Sequence, residues 1–207
     1  MKIKTAPLGQ LGANFYIVYS EDQKEIFTVD PGDCPDIIKE LISDTGCELK
    51  YIILTHAHVD HIGALDELKK TFNAPVVICS SEADSLNNGE LNLCSPFGAS
   101  SPKTKADITV CHGDTIPFGN KEIKFLHTPG HTVGSMCICY EDAVFTGDTL
   151  FNLSIGRCDF PGGNFDDIIA SIKNKLYTLP RSTTVYPGHG DALTIDYEKN
   201  NNPFVRG

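Results

Sequence analysis

Residues 55 to 63 read Thr-His-Ala-His-Val-Asp-His-Ile-Gly, so three of the chain's seven histidines and an aspartate fall within six positions. Each imidazole has two ring nitrogens that need partners, and three this close together seldom serve packing. Metal binding is the economical reading. The segment follows the apolar run Tyr51-Ile52-Ile53-Leu54, which places it in a loop leaving a strand end. There His56 and His58 can turn toward one ion while Asp60 and His61, side by side, reach a second. A helical zinc pair would need two histidines four positions apart with a glutamate beside the first, and that pattern is absent.

Two ions need more ligands than one loop supplies. Three later segments each place a glycine just before a polar side chain: Thr-Pro-Gly-His131-Thr, Phe-Thr-Gly-Asp148-Thr and Tyr-Pro-Gly-His189-Gly. Glycine there lets the backbone turn sharply and approach closely. The expected ligand set is therefore His56, His58, Asp60, His61, His131, Asp148 and His189. Asp148 suits a carboxylate that bridges two ions about 3.5–4 Å apart and leaves room for a shared hydroxide as nucleophile.

Other polar residues are weighed against structural roles. Arg157, one of three arginines and the only one near a site motif, could clamp a substrate carboxylate through its planar fork; pairing with Asp159 or with backbone carbonyls is the favoured alternative. Cys158 lacks an activating histidine in its neighbourhood of sequence, so a packing role is preferred. His127 is expected either to orient a ligand by a hydrogen bond or to be an ordinary partnered histidine, and His112 to sit in a turn. Cys137 and Cys139 would share one face of a strand, where burial is preferred over a metal pair.

These residues must be carried by strand ends. The first thirty residues read as a β-meander, with strands over 14–20 and 25–30 closed by Pro31-Gly32. The spacing of Ile37, Ile38, Leu41 and Ile42 predicts a helix that Gly46 stops, and residues 50–54 read as a buried strand. A helix over 62–72 and a strand over 76–80 complete one β-α-β-α-β half. Residues 81–106, rich in Ser, Asn, Gly and Pro, read as an inserted surface loop. Strands resume at 122–131, 135–142 and 143–151, followed by a helix over 165–179 and a strand over 183–190. Two sheets each covered by helices satisfy this order.

Composition narrows the function classes. At 207 residues a single domain over 1–207 is expected. A net charge of −10 with three arginines excludes a nucleic-acid partner, since phosphate contacts need clustered cations. No apolar run approaches the roughly 20 residues of a membrane span, and the first twenty residues lack the apolar core of a secretory signal. Eight cysteines scattered singly through apolar segments read as reduced thiols. Cytoplasmic residence is expected.

Taken in order, "THAHVDHIG", "TPGHTVGS", "GDTLF" and "YPGHG" resemble the metallo-β-lactamase superfamily over nearly the whole chain. The resemblance implies an α/β fold, the αββα four-layer sandwich, with metals at one edge of the two sheets. It assigns His56, His58 and His131 to the first metal, Asp60, His61 and His189 to the second, and Asp148 to both. The stretch "GDTLFNLSIGRCDFPGG" resembles the glyoxalase II-like, or hydroxyacylglutathione hydrolase-like, branch in its short bacterial form. That implies hydrolysis of a thioester such as S-lactoylglutathione by a metal-bridging hydroxide that Asp60 orients, with a small-molecule acyl-thiol as partner. Two divalent ions are implied as cofactors, zinc foremost, with iron or manganese as alternatives. Long glyoxalase II proteins carry a helical C-terminal domain with glutathione contacts, whereas this chain ends soon after His189. A cysteine at the position of Asp148 would mark the commonest zinc β-lactamases, so lactam hydrolysis is disfavoured. The alternative reading is a mononuclear iron persulfide dioxygenase, which shares a Gly-Arg-x-Asp-Phe segment and would use His56, His131 and Asp148. Hydrolysis of another ester or a lactone is a further alternative.

Overall fold

A computed structural model describes residues 2–207. The first sheet is laid down in chain order: β1 (Ile3–Leu8), β2 (Ala13–Tyr19), β3 (Glu25–Val29), β4 (Glu48–Ile53), β5 (Val76–Cys79) and β6 (Ile108–Val110). β1 to β3 pair antiparallel, and β3 to β6 pair parallel. Parallel neighbours need crossovers. Helix α1 (Pro35–Ser43) supplies the first, and the helices α2 (Val59–Ile62) and α3 (Leu65–Phe72) supply the second.

The chain continues through β7 (Thr115–Phe118), β8 (Lys121–His127), β9 (Met136–Tyr140), β10 (Ala143–Gly147), a hairpin of β11 (Leu150–Phe151) and β12 (Ser154–Ile155), helix α4 (Phe165–Ser171), β13 (Thr184–Pro187), β14 (Leu193–Thr194) and helix α5 (Ile195–Asn201). The second sheet has the order β14-β13-β10-β9-β8-β7, with β10 and β13 parallel. Among the described residues no helix is long and apolar enough to cross a membrane.

Strand periodicity explains the layering. In β2, Phe15, Ile17 and Tyr19 face α1 and α3, while Tyr16 and Val18 face the second sheet, so the whole strand is buried. Phe27, Phe118, Tyr140 and Phe145 fill the space between the sheets, with Phe27 edge-on to the other three at centroid separations of 4.9–6.1 Å. Val144 and Val185 pack outward against Ile168, Ile172 and Leu176. The result is the four-layer αββα sandwich.

Three expectations are corrected. The helix over 62–72 begins later, at Leu65, because the Ala64 N–H donates to the Pro31 carbonyl at 3.0 Å instead of continuing α2. The helix over 165–179 is α-helical only to Ser171; one wider π turn follows over Ile172–Leu176, where the Tyr177 N–H reaches the Ile172 carbonyl. Residues 81–106 are not a surface loop throughout. Glu82, Leu86, Asn92, Leu93 and Cys94 are buried, and the Asn92 side chain donates to the Leu86 carbonyl at 2.9 Å and accepts from the Cys94 N–H at 3.0 Å.

Truncating Phe27 removes one ring from contact with three others and leaves a cavity between the sheets. Phe27→Ala is expected to destabilise the fold by about 3–5 kcal/mol, read as a lower urea midpoint with an unchanged slope.

Candidate metal centre

The loops that leave the C-terminal ends of β3, β4, β8, β10 and β13 meet at one edge of the sandwich. β4 delivers Thr55 to His58, α2 carries Asp60 and His61, the turn after β8 carries His131, Asp148 follows β10, and His189 follows β13. All seven expected ligand residues come together. His56, His58 and His131 present ring nitrogens that lie within 4.8 Å of one another, and so do the ligand atoms of Asp60, His61 and His189. Asp148 stands between the groups. Its Oδ2 lies 3.5 Å from His131 Nε2, and its Oδ1 lies 3.4 Å from His61 Nε2 and 3.7 Å from His189 Nε2.

Several of these atoms are buried without hydrogen-bond partners: His56 Nε2, His58 Nε2, His61 Nε2 and Asp148 Oδ1. Protein interiors rarely leave such atoms unsatisfied. Of these, His61 Nε2 faces Asp148 Oδ1, and buried imidazole nitrogens left unpaired beside an ionisable carboxylate have the chemistry of a divalent-cation cradle, which the residues present fit. Space is reserved for them. A Cβ on Gly188 would stand 2.2 Å from Asp148 Oδ1, so only glycine lets the backbone before His189 pass that carboxylate.

The outward ring nitrogens are fixed by hydrogen bonds, and this sets which nitrogen is free. His131 Nδ1 donates to the Arg157 carbonyl at 2.7 Å, and His61 Nδ1 donates to Asp30 Oδ2 at 3.0 Å. Asp30 also accepts from the Thr55 N–H at 2.8 Å and from Thr55 Oγ1 at 2.6 Å. Because that hydroxyl proton goes to Asp30, Thr55 Oγ1 accepts from His56 Nδ1 at 3.1 Å. One buried carboxylate thus orients His61 directly and His56 through Thr55. Asp30, His56 and His61 also lie within 4.8 Å of one another, but the Asp30 oxygens are committed to these contacts.

Charge follows the same partition. Burial, and then the neighbouring imidazoles, hold His56 well below its ordinary range and push His58 down to about 3. Burial opposes protonation of His61 as well, yet Asp148, Asp60 and Asp30 outweigh it and raise this group. The hydrogen bond that His189 donates to the Asp60 carboxylate raises His189. For Asp148, burial alone would raise the carboxyl, but His61, His131 and His189 hold it far below the usual range. Neutral His56 and His58 beside an ionised Asp148 are the protonation states that cation binding needs.

A cavity of about 330 Å³ opens over Asp60, His131, Asp148 and His189, walled by Leu11, Phe151, Ile155 and Phe160. The β11–β12 hairpin forms part of that wall, and α5 secures it. Buried Glu198 accepts from the Leu153 N–H at 2.9 Å, and buried Asn202 donates to the Ser154 carbonyl at 3.1 Å. Leu11, Val59, Asp60 and Phe97 also line a second cavity of about 460 Å³ beside the first.

Arg157 lines the smaller cavity, but its guanidinium is held away from the imidazoles. It makes two bonds to Asp159, at 2.9 and 2.7 Å, and lies over the Phe160 ring. Its carbonyl, not its charge, touches the histidine cluster. His127 Nε2 donates to the Val133 carbonyl at 2.9 Å and so fastens the turn that carries His131. Cys137 is buried against Thr128, and burial pushes its thiol up to about 12. Cys158 points its thiol at the Gly156 carbonyl. Asp30 and Glu82 escaped the sequence reading. Asp30 closes a strand just before Pro31-Gly32, much as the other site residues sit at strand ends beside glycine, and that likeness was the available signal. Glu82 carries none.

Without metal, His58 titrates near 3 when folded but near 6.5 when unfolded. Between these values the unfolded chain holds more protons, so stability falls as pH falls. Metal-free protein is expected to lose unfolding free energy from pH 6.5 downward in urea titrations, and His58→Gln to lose it less steeply.

The metallo-β-lactamase superfamily model matches residues 8–189. The probable metallo-hydrolase YqgX of Bacillus subtilis is 38% identical, with 100% of this chain and 99% of that protein covered. Hydroxyacylglutathione hydrolase GloC of Haemophilus influenzae is 32% identical over 99% and 98%. Among solved structures, BLEG-1 B3 metallo-β-lactamase superposes with a TM-score of 0.94 at 37% identity, covering 100% of both chains. TTHA1623 in a di-iron-bound form gives 0.86 at 33%, covering 98% and 100%, and ETHE1 from Myxococcus xanthus gives 0.83 at 29%, covering 98% and 84%. With the matched segment reaching from β1 to the last histidine of the centre, the chain belongs to the metallo-β-lactamase superfamily of metal-dependent hydrolases.

Proposed function

We propose that this protein hydrolyses the thioester of a small acyl-thiol, of the S-lactoylglutathione class, at a centre of two divalent cations. The observation that carries the reading is the placement of Asp148, with one oxygen toward His131 and the other toward His61 and His189. His56, His58 and His131 would hold one ion, Asp60, His61 and His189 the other, and Asp148 both. When bound, such a pair supplies hydroxide at neutral pH and polarises the substrate carbonyl. Zinc is the ion proposed foremost, and the di-iron form of TTHA1623 keeps iron beside it.

The chain's own residues then have distinct tasks. Asp60, anchored 3.2 Å from His189 Nε2, would orient the attacking oxygen. Phe151, Ile155 and Phe160 give the cavity dry walls, which strengthens every electrostatic contact within it. A thiolate leaves without a dedicated acid, because a thiol of pKa near about 8.5 is a fair leaving group. GloC, similar over nearly its full length, supports the thioester class.

The second reading is persulfide oxidation at a single iron held by His56, His131 and Asp148, and the likeness to ETHE1 is its support. The complete group formed by Asp60, His61 and His189 favours the two-ion reading, since a single-iron enzyme leaves it without a task. The likeness to BLEG-1 adds a lactam to the substrates worth offering.

Metal-loaded protein is expected to consume S-lactoylglutathione, followed by loss of thioester absorbance, and His131→Ala to lose at least about 100-fold in kcat/KM. Oxygen uptake with glutathione persulfide, or turnover of a lactam, lactone or simple ester with the thioester untouched, would reassign the reaction.

A further inference from the structure

Glu82 lies just beyond β5, outside both ligand groups, and its side chain is buried. No ligand motif contains it. Its carboxylate nevertheless spans two of the metal-centre loops. Oε1 accepts from the Ala57 N–H at 3.1 Å, between His56 and His58, and Oε2 accepts from the Gly134 N–H and from Thr132 Oγ1, both at 2.9 Å, just past His131. The first loop leaves β4 of one sheet and the second joins β8 to β9 of the other. At the point where they are clamped, His58 Nδ1 and His131 Nε2 stand 2.9 Å apart.

A second observation marks the same contact. A Cβ on Gly134 would stand 2.4 Å from the Glu82 backbone nitrogen and 2.7 Å from its Cα. Both backbones have therefore been brought as close as glycine permits. The loops do not depend on Glu82 for their existence, because the Met136 N–H also donates to the Thr55 carbonyl at 2.9 Å across the same seam. What the carboxylate adds is three further donors drawn to one rigid group, with charge-assisted bonds on both sides of the His58–His131 pair.

We propose that Glu82 is a positioning residue of the metal centre, setting the spacing of His58 and His131 and hence the cation affinity of the three-histidine group, not that of the group around His189. The inference rests on the two-ion reading. It predicts asymmetry. Glu82→Gln keeps the size of the side chain, but its amide nitrogen must face a backbone N–H, either that of Ala57 or that of Gly134, so one half of the clamp opens.

The experiment titrates full-length protein with Zn²⁺ against a chromophoric chelator in two backgrounds. His189→Ala retains the three-histidine group, and His131→Ala retains the group of Asp60, His61 and His189. Adding Glu82→Gln is expected to weaken Zn²⁺ binding by about 10–100-fold in the first background and to leave the second unchanged, with the far-UV circular dichroism of the parent in both. Gly134→Ala, whose Cβ would push the turn of His131 away from the Glu82 backbone, is expected to show the same split and serves if the glutamine variant fails to fold. Unchanged affinity in the first background, or equal loss in both, overturns the proposal. Absence of Zn²⁺ binding in His189→Ala with Glu82 intact overturns the two-ion reading, and the proposal with it.

Discussion

Burying imidazoles and carboxylates side by side is the constraint on which the working edge of this protein depends. Polar groups taken out of water are costly unless each finds a partner, and His56, His61 and Asp148 leave atoms that no protein group satisfies. The surrounding structure meets that demand from behind. Asp30, Thr55 and the Arg157 carbonyl occupy the outward nitrogens of His61, His56 and His131, so the inward nitrogens point to common centres. A ring with both nitrogens loose would turn to find its own partner, and the centre would be lost.

Two sheets are needed because no single loop supplies enough donors. His56, His58, Asp60 and His61 come from the first sheet's crossover, whereas His131, Asp148 and His189 come from the second. The sandwich must therefore hold its two halves in register to a fraction of an ångström, and the packing between them serves that end. Phe27, at the middle of the aromatic layer, belongs to β3, the strand that leads into Asp30. The Asn14 side chain, donating to the carbonyls of Pro187 and Gly190 at 3.0 and 2.8 Å, ties β2 to the loop of His189. Core rigidity is thus transmitted to the site through short stretches of chain and buried hydrogen bonds.

The cavity is built by different rules. Its walls come from the hairpin of β11 and β12, from the turn containing Leu11 and from the segment around Leu93 and Phe97. Leu11 and Phe97 are exposed, and both also line the neighbouring cavity. These are connecting segments, free to vary while the sandwich stays the same, and they are where the identity of a substrate would be read. Arg157 is the one Lys or Arg on that lining, and its guanidinium is paired with Asp159.

The amino-acid sequence by itself determined what is local. Histidine density in 56–61, glycine before each later polar residue and alternating apolar residues within strands are statements about neighbours in the chain, and they point to seven ligand candidates and two helix-covered sheets. Tertiary structure alone decided what depends on distant neighbours. Short edge strands such as β6 and β14 went unseen because half-exposed runs of two or three residues carry little periodicity. The helix expected over 62–72 starts only at Leu65, because Ala64 bonds to Pro31, 33 positions earlier in the chain. Asp30 and Glu82 are single carboxylates in ordinary segments, and their meaning comes only from the donors that folding brings to them. Residue type and spacing can declare which chemistry is available, but the orientation of a ring or a loop is set by hydrogen bonds whose partners the chain supplies from elsewhere.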